Sequence, residues 1–270
     1  MSFSESVWKK IYGTFHSKQK LAEEYLKKAQ STTDRDTVVE YLHKALECDS
    51  DCLEAEYFLA VIESNGDFKK CLEESQKVLE HGEKLMRERG FLPDQVGRFW
   101  DIEETRPYMR VLDNYADILI SRQMYDEAIK IQERMIELNP GDNQGVRWTL
   151  SHLYAMTLDE EGAEKLLNMY PDDASSVHLM GHAELYYRLN KPQKVKEILR
   201  SIKEINIGFG EFVGALGSSN RLNAIRAGRN PYGIAIATAD ELVYEYDTYA
   251  YVYEAAKGFE RWLKKIGPTL

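Results

Sequence analysis

The sequence predicts an all-α fold, a solenoid of helix-turn-helix repeats closed by an aromatic-rich C-terminal cap. Three observations carry that expectation. Tyr125–Pro140, YDEAIKIQERMIELNP, reads as the second helix of a helical pair, ended by its proline. Met109–Arg122 supplies the partner, with Leu112, Tyr115, Ala116 and Leu119 on one face and Ala128 as the small residue that permits close approach. Degenerate copies of the same apolar pattern run in both directions, as they must, because one such pair cannot bury its own apolar face.

The elements follow in order. Lys18–Gln30 pairs with Thr37–Cys48, whose Ala45 takes a packing position. Leu53–Ser64 is a first helix with Leu59 and Ala60 inward, and the turn Asn65-Gly66-Asp67 leads into a second helix with Cys71 at its small position. That helix runs to about Glu88, Gly90 ends it, and the loop FLPDQVGRFWDIEE crosses to the Met109 pair. Downstream, Asn143–Met156 pairs with Glu160–Met169, which Pro171 cuts short. Ser176–Arg188 pairs with Pro192–Ile205, with Ala183 and Val195 at close-contact positions and Pro192 in the first turn, where its missing N–H costs nothing. From Gly208 on, frequent glycines break the pattern. The segment ELVYEYDTYAYVYEAAKGFERWLKK alternates like a strand at Tyr249, Tyr251 and Tyr253, but Tyr246, Tyr249 and Tyr253 share a helical face, and a helical cap is the expectation. The organisation expected is therefore 1–89 as N-terminal helices and degenerate repeats, 90–104 as a connecting loop, 105–207 as central repeats and 208–270 as the cap.

The Tyr125–Pro140 segment with its small Ala128 resembles the tetratricopeptide repeat (TPR). That resemblance implies a TPR-like α-solenoid whose first helices line a concave face. A narrower resemblance rests on Phe99, Trp100, Glu104, Thr105, Arg106, Pro107, Tyr108, Met109 and Arg110, followed by Asn143, Gln144, Gly145 and Arg147, with GFERWL near the end. These residues are similar to a group of uncharacterised bacterial TPR proteins, from which Gly141 departs where the group commonly has Asn. This second resemblance implies no reaction. Thr105 and Pro107 read as helix starters, Thr105 as N-cap. Arg106, Arg110 and Arg147, with Asn143, form a candidate polar junction in which internal pairing to acids such as Glu103, Glu104 and Asp142 is favoured over a partner's carboxylate.

Composition limits the function classes. A net charge of −10 with 30% charged residues argues against nucleic acid, which needs clustered Lys and Arg. The opening MSFSESVWKKIYGTF lacks a signal-peptide apolar core and no run is long enough to span a bilayer, so a cytoplasmic protein with no membrane partner is expected. Three cysteines, Cys48, Cys52 and Cys71, fit a reducing compartment.

Carried onto this chain, the concave face would present Tyr57, Asp113, Asp117, Trp148, His152, Glu184 and Tyr187, an acidic and aromatic groove. Repeat domains that grip acidic chaperone tails place cations at such positions, so the expected ligand is instead a basic or amphipathic protein or peptide segment. His178 and His182 stand four apart on one helical face, as a metal site would require. No Glu completes an H-E-x-x-H pattern, however, and His182 falls at an apolar packing position, so structural histidines are expected and no metal or cofactor is assigned. No phosphate loop or nucleophile elbow is present. The leading expectation is thus a non-catalytic scaffold or adaptor. The alternatives are an intracellular receptor for a signalling peptide, a metal-dependent enzyme using His178 and His182, and self-association into a homo-oligomer through the Tyr-rich cap.

Overall fold

The computed structural model describes residues 3–230 and 233–270, with side chains from Ser17 onward, and among these residues every regular element is helical. Helices α1 (Phe3–Gln30), α2 (Arg35–Cys48), α3 (Leu53–Glu63) and α4 (Phe68–Glu88) pack each against the next. Short acidic side chains start two of them. Asp34 accepts from the Thr37 amide at 3.0 Å and Asp67 from the Lys70 amide at 3.1 Å, each supplying an acceptor to an amide that the helix itself leaves unsatisfied. Between α3 and α4 the chain turns through Asn65 and Gly66, both at positive φ, which explains the Asn-Gly pair at that point. Ala22, Leu26, Ala29, Leu42, Ala45, Ala55 and Leu59 form an apolar core between α1, α2 and α3; Ala45 and Leu59 are buried as expected, whereas Ala60 is only half-buried.

The loop after α4 ends in a 3-10 turn at Glu103–Thr105, and α5 (Arg106–Ser121) follows. Thr105 does not act as an N-cap acceptor. It is fully buried and its hydroxyl donates to the carbonyls of Phe99 and, at 2.9 Å, Ile102, so it fastens the loop. Helix α6 (Tyr125–Leu138) comes next, with Ala128 fully buried. The chain forms two compact units, one of residues up to Ile118 together with Arg134–Gly141, the other of Leu119–Glu133 together with Asp142–Leu270.

In the second unit, α7 (Val146–Thr157), α8 (Glu160–Met169), α9 (Ser176–Arg188) and α10 (Pro192–Ile205) continue the helical pairs. Five further helices follow: α11 (Phe209–Ala215), α12 (Ser219–Ala227), α13 (Ala239–Thr248), α14 (Ala250–Ala255) and α15 (Phe259–Ile266). The Tyr-rich segment is therefore helical, with a break at Tyr249. Its α13 packs on α9 and α14 packs on α7, so the cap closes over the repeat helices rather than continuing them. Met180, Ala183, Val195, Leu199, Phe209, Phe212, Leu242, Val243, Phe259 and Leu263 belong to one apolar core that joins the two parts of this unit.

A polar clasp fixes the closure. Glu241 of α13 accepts from the Ser175 hydroxyl, the Ser176 amide and the Ala237 amide at 3.2, 3.1 and 2.8 Å, and Asn206 donates to Ser176, Glu241 and the Thr238 carbonyl. Glu241 thereby places an anion at the N-terminus of α9, where the helix dipole favours it and where Ser175 makes no side-chain cap.

Candidate functional site

Closure by α13 gives α9 an unusual environment, because every residue from Ser176 to Tyr186 is buried. A helix exposed on one side would show a polar stripe, whereas α9 has His178, His182 and Glu184 among apolar neighbours and is enclosed all round. Gly181 sets its distance from α7, since a Cβ there would lie 2.9 Å from the Ser151 carbonyl carbon and 3.0 Å from the His152 nitrogen.

Three titratable groups converge at this crossing. His152 of α7, Glu184 of α9 and Glu245 of α13 are each fully buried, and one ligand atom from each lies within 4.8 Å of the others. His152 Nδ1 is 2.7 Å from the Trp148 carbonyl oxygen, which can only accept, so Nδ1 carries the hydrogen. Nε2 then points at the carboxylates, 3.0 Å from Glu245 Oε1 and 3.7 Å from Glu184 Oε2. Tyr253 donates to Glu245 Oε2 at 2.8 Å, and the Tyr249 ring stacks on the imidazole with centroids 3.6 Å apart. Neither oxygen of Glu184 has a hydrogen-bond partner. Burial, then the neighbouring Glu245, push the Glu184 carboxyl well above the ordinary carboxylate range. Burial raises Glu245 as well, against the hydrogen bond from His152, the attraction of that ring and the Tyr253 hydroxyl.

A second polar chain runs beside the first. Arg147 Nε meets Asp173 Oδ2 at 2.6 Å and its Nη1 meets Asp142 Oδ2 at 2.8 Å. His178 Nδ1 is 3.0 Å from Asp173 Oδ2, and the Nε2 atoms of His178 and His182 are 3.0 Å apart. One Nε2 of this pair donates to the other, while neither Nδ1 has a hydrogen-bond partner. Burial, then the neighbouring His178 and His152, hold His182 well below the usual histidine range, consistent with that neutral role. The two histidines thus make a buried hydrogen-bonded pair through Nε2.

The groove residues expected from sequence separate into distinct environments. Tyr57, His152 and Glu184 are buried and are withdrawn from the set of surface contacts, the last two because the α13–α14 segment covers them. Asp113 and Asp117 lie in the first unit, half-buried and exposed respectively, while Trp148 and Tyr187 lie half-buried in the second. The arginines are held internally, with partners other than those expected except for Asp142. Arg106 donates to the Trp100 carbonyl at 2.8 Å and sits over that ring, and Arg110 grips Glu54 through two bonds of 2.9 and 2.6 Å. Asn143 is exposed. Sequence reasoning singles out none of Glu245, Tyr253 and Trp262 as a site residue, since their segment reads as a cap or a surface for self-association.

Tyr187 borders an open cleft of about 520 Å³ in the second unit, shared with Arg188, Asn190, Lys191, Ala256, Lys257 and Trp262. Its aromatic wall is built from the tilted pair Tyr187–Trp262, with centroids 5.5 Å apart, backed by Phe259. Arg188 is engaged with the carbonyls of Ala155 and Met156, and Lys191 with Glu160. Lys257 stands exposed on the rim.

No helix among the described residues is long and apolar enough to cross a membrane. No protein-family model matches the chain, and no curated protein is similar to it. Solved structures similar in fold include a tetratricopeptide repeat protein from Parabacteroides merdae, 15% identical with a TM-score of 0.47 over 91% of this chain and 98% of that one. Another is PilF of Pseudomonas aeruginosa, 19% identical with a TM-score of 0.43 over 95% of this chain and 93% of that one.

Proposed function

We propose that the protein is a non-catalytic scaffold that holds an amphipathic peptide segment of a protein partner, with the Tyr187–Trp262 cleft as the anchor site. The observation that carries this reading is the cleft itself. An aromatic wall beside a solvated cation suits an apolar anchor side chain flanked by polar groups, and interface hot spots are enriched in such tyrosine and tryptophan pockets. The buried histidines weigh against the enzyme reading, because His178 and His182 pair with each other through Nε2 and are fully buried. Asp113 and Asp117 remain a second candidate surface, suited to basic segments.

Affinity capture with quantitative mass spectrometry tests the proposal. Tyr187→Ala and Lys257→Glu should each reduce recovery of the partner at least about tenfold, the usual effect of losing a hot-spot side chain. Asp113→Lys with Asp117→Lys should reduce it less. Full recovery by both cleft variants would refute the cleft as the anchor.

A further inference from the structure

We propose that His152, Glu184 and Glu245 together bind a divalent first-row transition metal ion in the interior of the second unit, where it clips α13 to α7 and α9. The argument begins with the imidazole. Its Nδ1 hydrogen is committed to the Trp148 carbonyl at 2.7 Å, so the group aimed between the carboxylates is Nε2, the nitrogen that would coordinate. Ligand atoms on a tetrahedral ion with N and O bonds of about 2.0–2.1 Å stand about 3.3 Å apart. The distances from Nε2 to Glu245 Oε1 and Glu184 Oε2, 3.0 and 3.7 Å, bracket that separation.

Proton and charge accounting gives the second step. Without an ion, one hydrogen shared between His152 Nε2 and Glu245 Oε1 satisfies that pair, and Glu184 is left as a fully buried carboxyl with no partner at either oxygen. An unpaired buried charge is among the costliest features a fold can carry. Protonating Glu184 removes the charge but still leaves its hydroxyl without an acceptor. A divalent cation resolves both deficits, since two carboxylates balance its charge and Glu184 gains a bond.

The surroundings also match what metal ligands require. The Trp148 carbonyl fixes the imidazole through its other nitrogen, Tyr253 orients Glu245 with a 2.8 Å hydrogen bond, and Tyr249 holds the ring plane. One nitrogen with two carboxylate oxygens favours a borderline ion such as zinc, cobalt, iron(II) or manganese over calcium or magnesium, which take oxygen ligands. All three ligands are fully buried, which fits a structural ion rather than one exposed to substrate.

The test uses the full chain. Protein stripped with chelator in urea and refolded with cobalt(II) or zinc should hold one ion per chain by elemental mass spectrometry, with a cobalt ligand-field spectrum. Zinc should raise its melting temperature. Glu184→Gln and Glu245→Gln should retain the helical circular dichroism of the metal-free chain yet lose zinc affinity by more than about 100-fold, and Tyr253→Phe by about tenfold, as orienting groups do. His178→Gln and His182→Gln should bind as the parent does. Failure of the refolded parent chain to take up either cobalt(II) or zinc would overturn the proposal. So would undiminished affinity in Glu184→Gln, or loss of the ion in the His178 or His182 variants. If a glutamine variant fails to refold, the stoichiometry of the parent chain and the Tyr253→Phe affinity decide the question.

Discussion

Gly181→Ala should destabilise the protein although it replaces glycine in the middle of a helix. In a solvated helix the change gains about 0.5–1 kcal/mol, because alanine loses less backbone freedom on folding. Here the added methyl would land 2.5 Å from Ser151 Oγ, 2.9 Å from the Ser151 carbonyl carbon and 3.0 Å from the His152 nitrogen, whereas ordinary contact begins at 3.4 Å. Rotation of the hydroxyl would break its 2.8 Å bond to the Trp148 carbonyl, and the backbone atoms cannot rotate away. Helices α7 and α9 must therefore separate by about half an ångström, a displacement of the kind that costs about 1–3 kcal/mol in a packed core. Subtracting the helix-propensity gain leaves a net loss of up to about 2.5 kcal/mol, centred near about 1 kcal/mol. Urea denaturation followed by circular dichroism measures it, with Gly210→Ala and Gly214→Ala in α11 as controls. A Cβ at either control position meets nothing within 4 Å, so both should be neutral or stabilising. A midpoint for Gly181→Ala at or above the parent's would refute the close crossing that brings His152 and Glu184 together.

Two further perturbations address the polar interior. Arg110→Met leaves Glu54, 8% exposed, without its bidentate partner. Because the arginine is itself 42% exposed, solvent screening limits the loss to about 1–2 kcal/mol. A double-mutant cycle with Glu54→Gln measures the coupling, and a coupling energy indistinguishable from zero would remove the pair from the stability account. Asp173 governs an acid response. Burial acts to raise its pKa, but the adjoining His178 ring and hydrogen bonds from Arg147 and the Ser175 amide outweigh burial and hold it below the ordinary carboxylate range. A depressed folded pKa means the contribution is present above the unfolded value of about 4 and lost as pH falls below it. The urea midpoint of Asp173→Asn should accordingly start lower at neutral pH and fall less steeply through the acid range than the parent's, and parallel acid limbs would contradict this.

The helices were legible because their signals are local. Glu160–Met169, Ser176–Arg188 and Pro192–Ile205 have the limits expected from apolar spacing, Pro171 and the first-turn Pro192. The placement of His152 and Glu184 was not legible, and the reason is physical. The repeat phase, taken alone, places both on an open face because it leaves one side of α7 and α9 uncovered. That side is filled by a helix more than fifty residues further along the chain, and no local pattern reports a contact of that separation. A partial signal did exist. The segment SVHLMGHAELYY has apolar residues at every angle around the helix, which points to burial on all sides, and three imidazole and carboxyl groups within it then require internal partners.

How the fold treats its other buried acids sharpens the meaning of Glu184. Asp142 receives the amides of Val146 and Arg147 at 2.7 and 3.0 Å besides the Arg147 guanidinium. Asp173 receives Arg147 and the Ser175 amide, and Glu241 receives two amides, a hydroxyl and the Asn206 side chain. Each of these carboxylates enters the interior with donors supplied by backbone amides, a committed cation or neutral polar side chains, as a buried acid must. Glu245 lies one helical turn beyond Glu241 on α13, and it too finds donors in His152 and Tyr253. Glu184 sits in the same layer with none. A leucine would fill that volume without leaving polar atoms unsatisfied, and a divalent ion shared with His152 and Glu245 would supply the partner that the chain itself does not give Glu184.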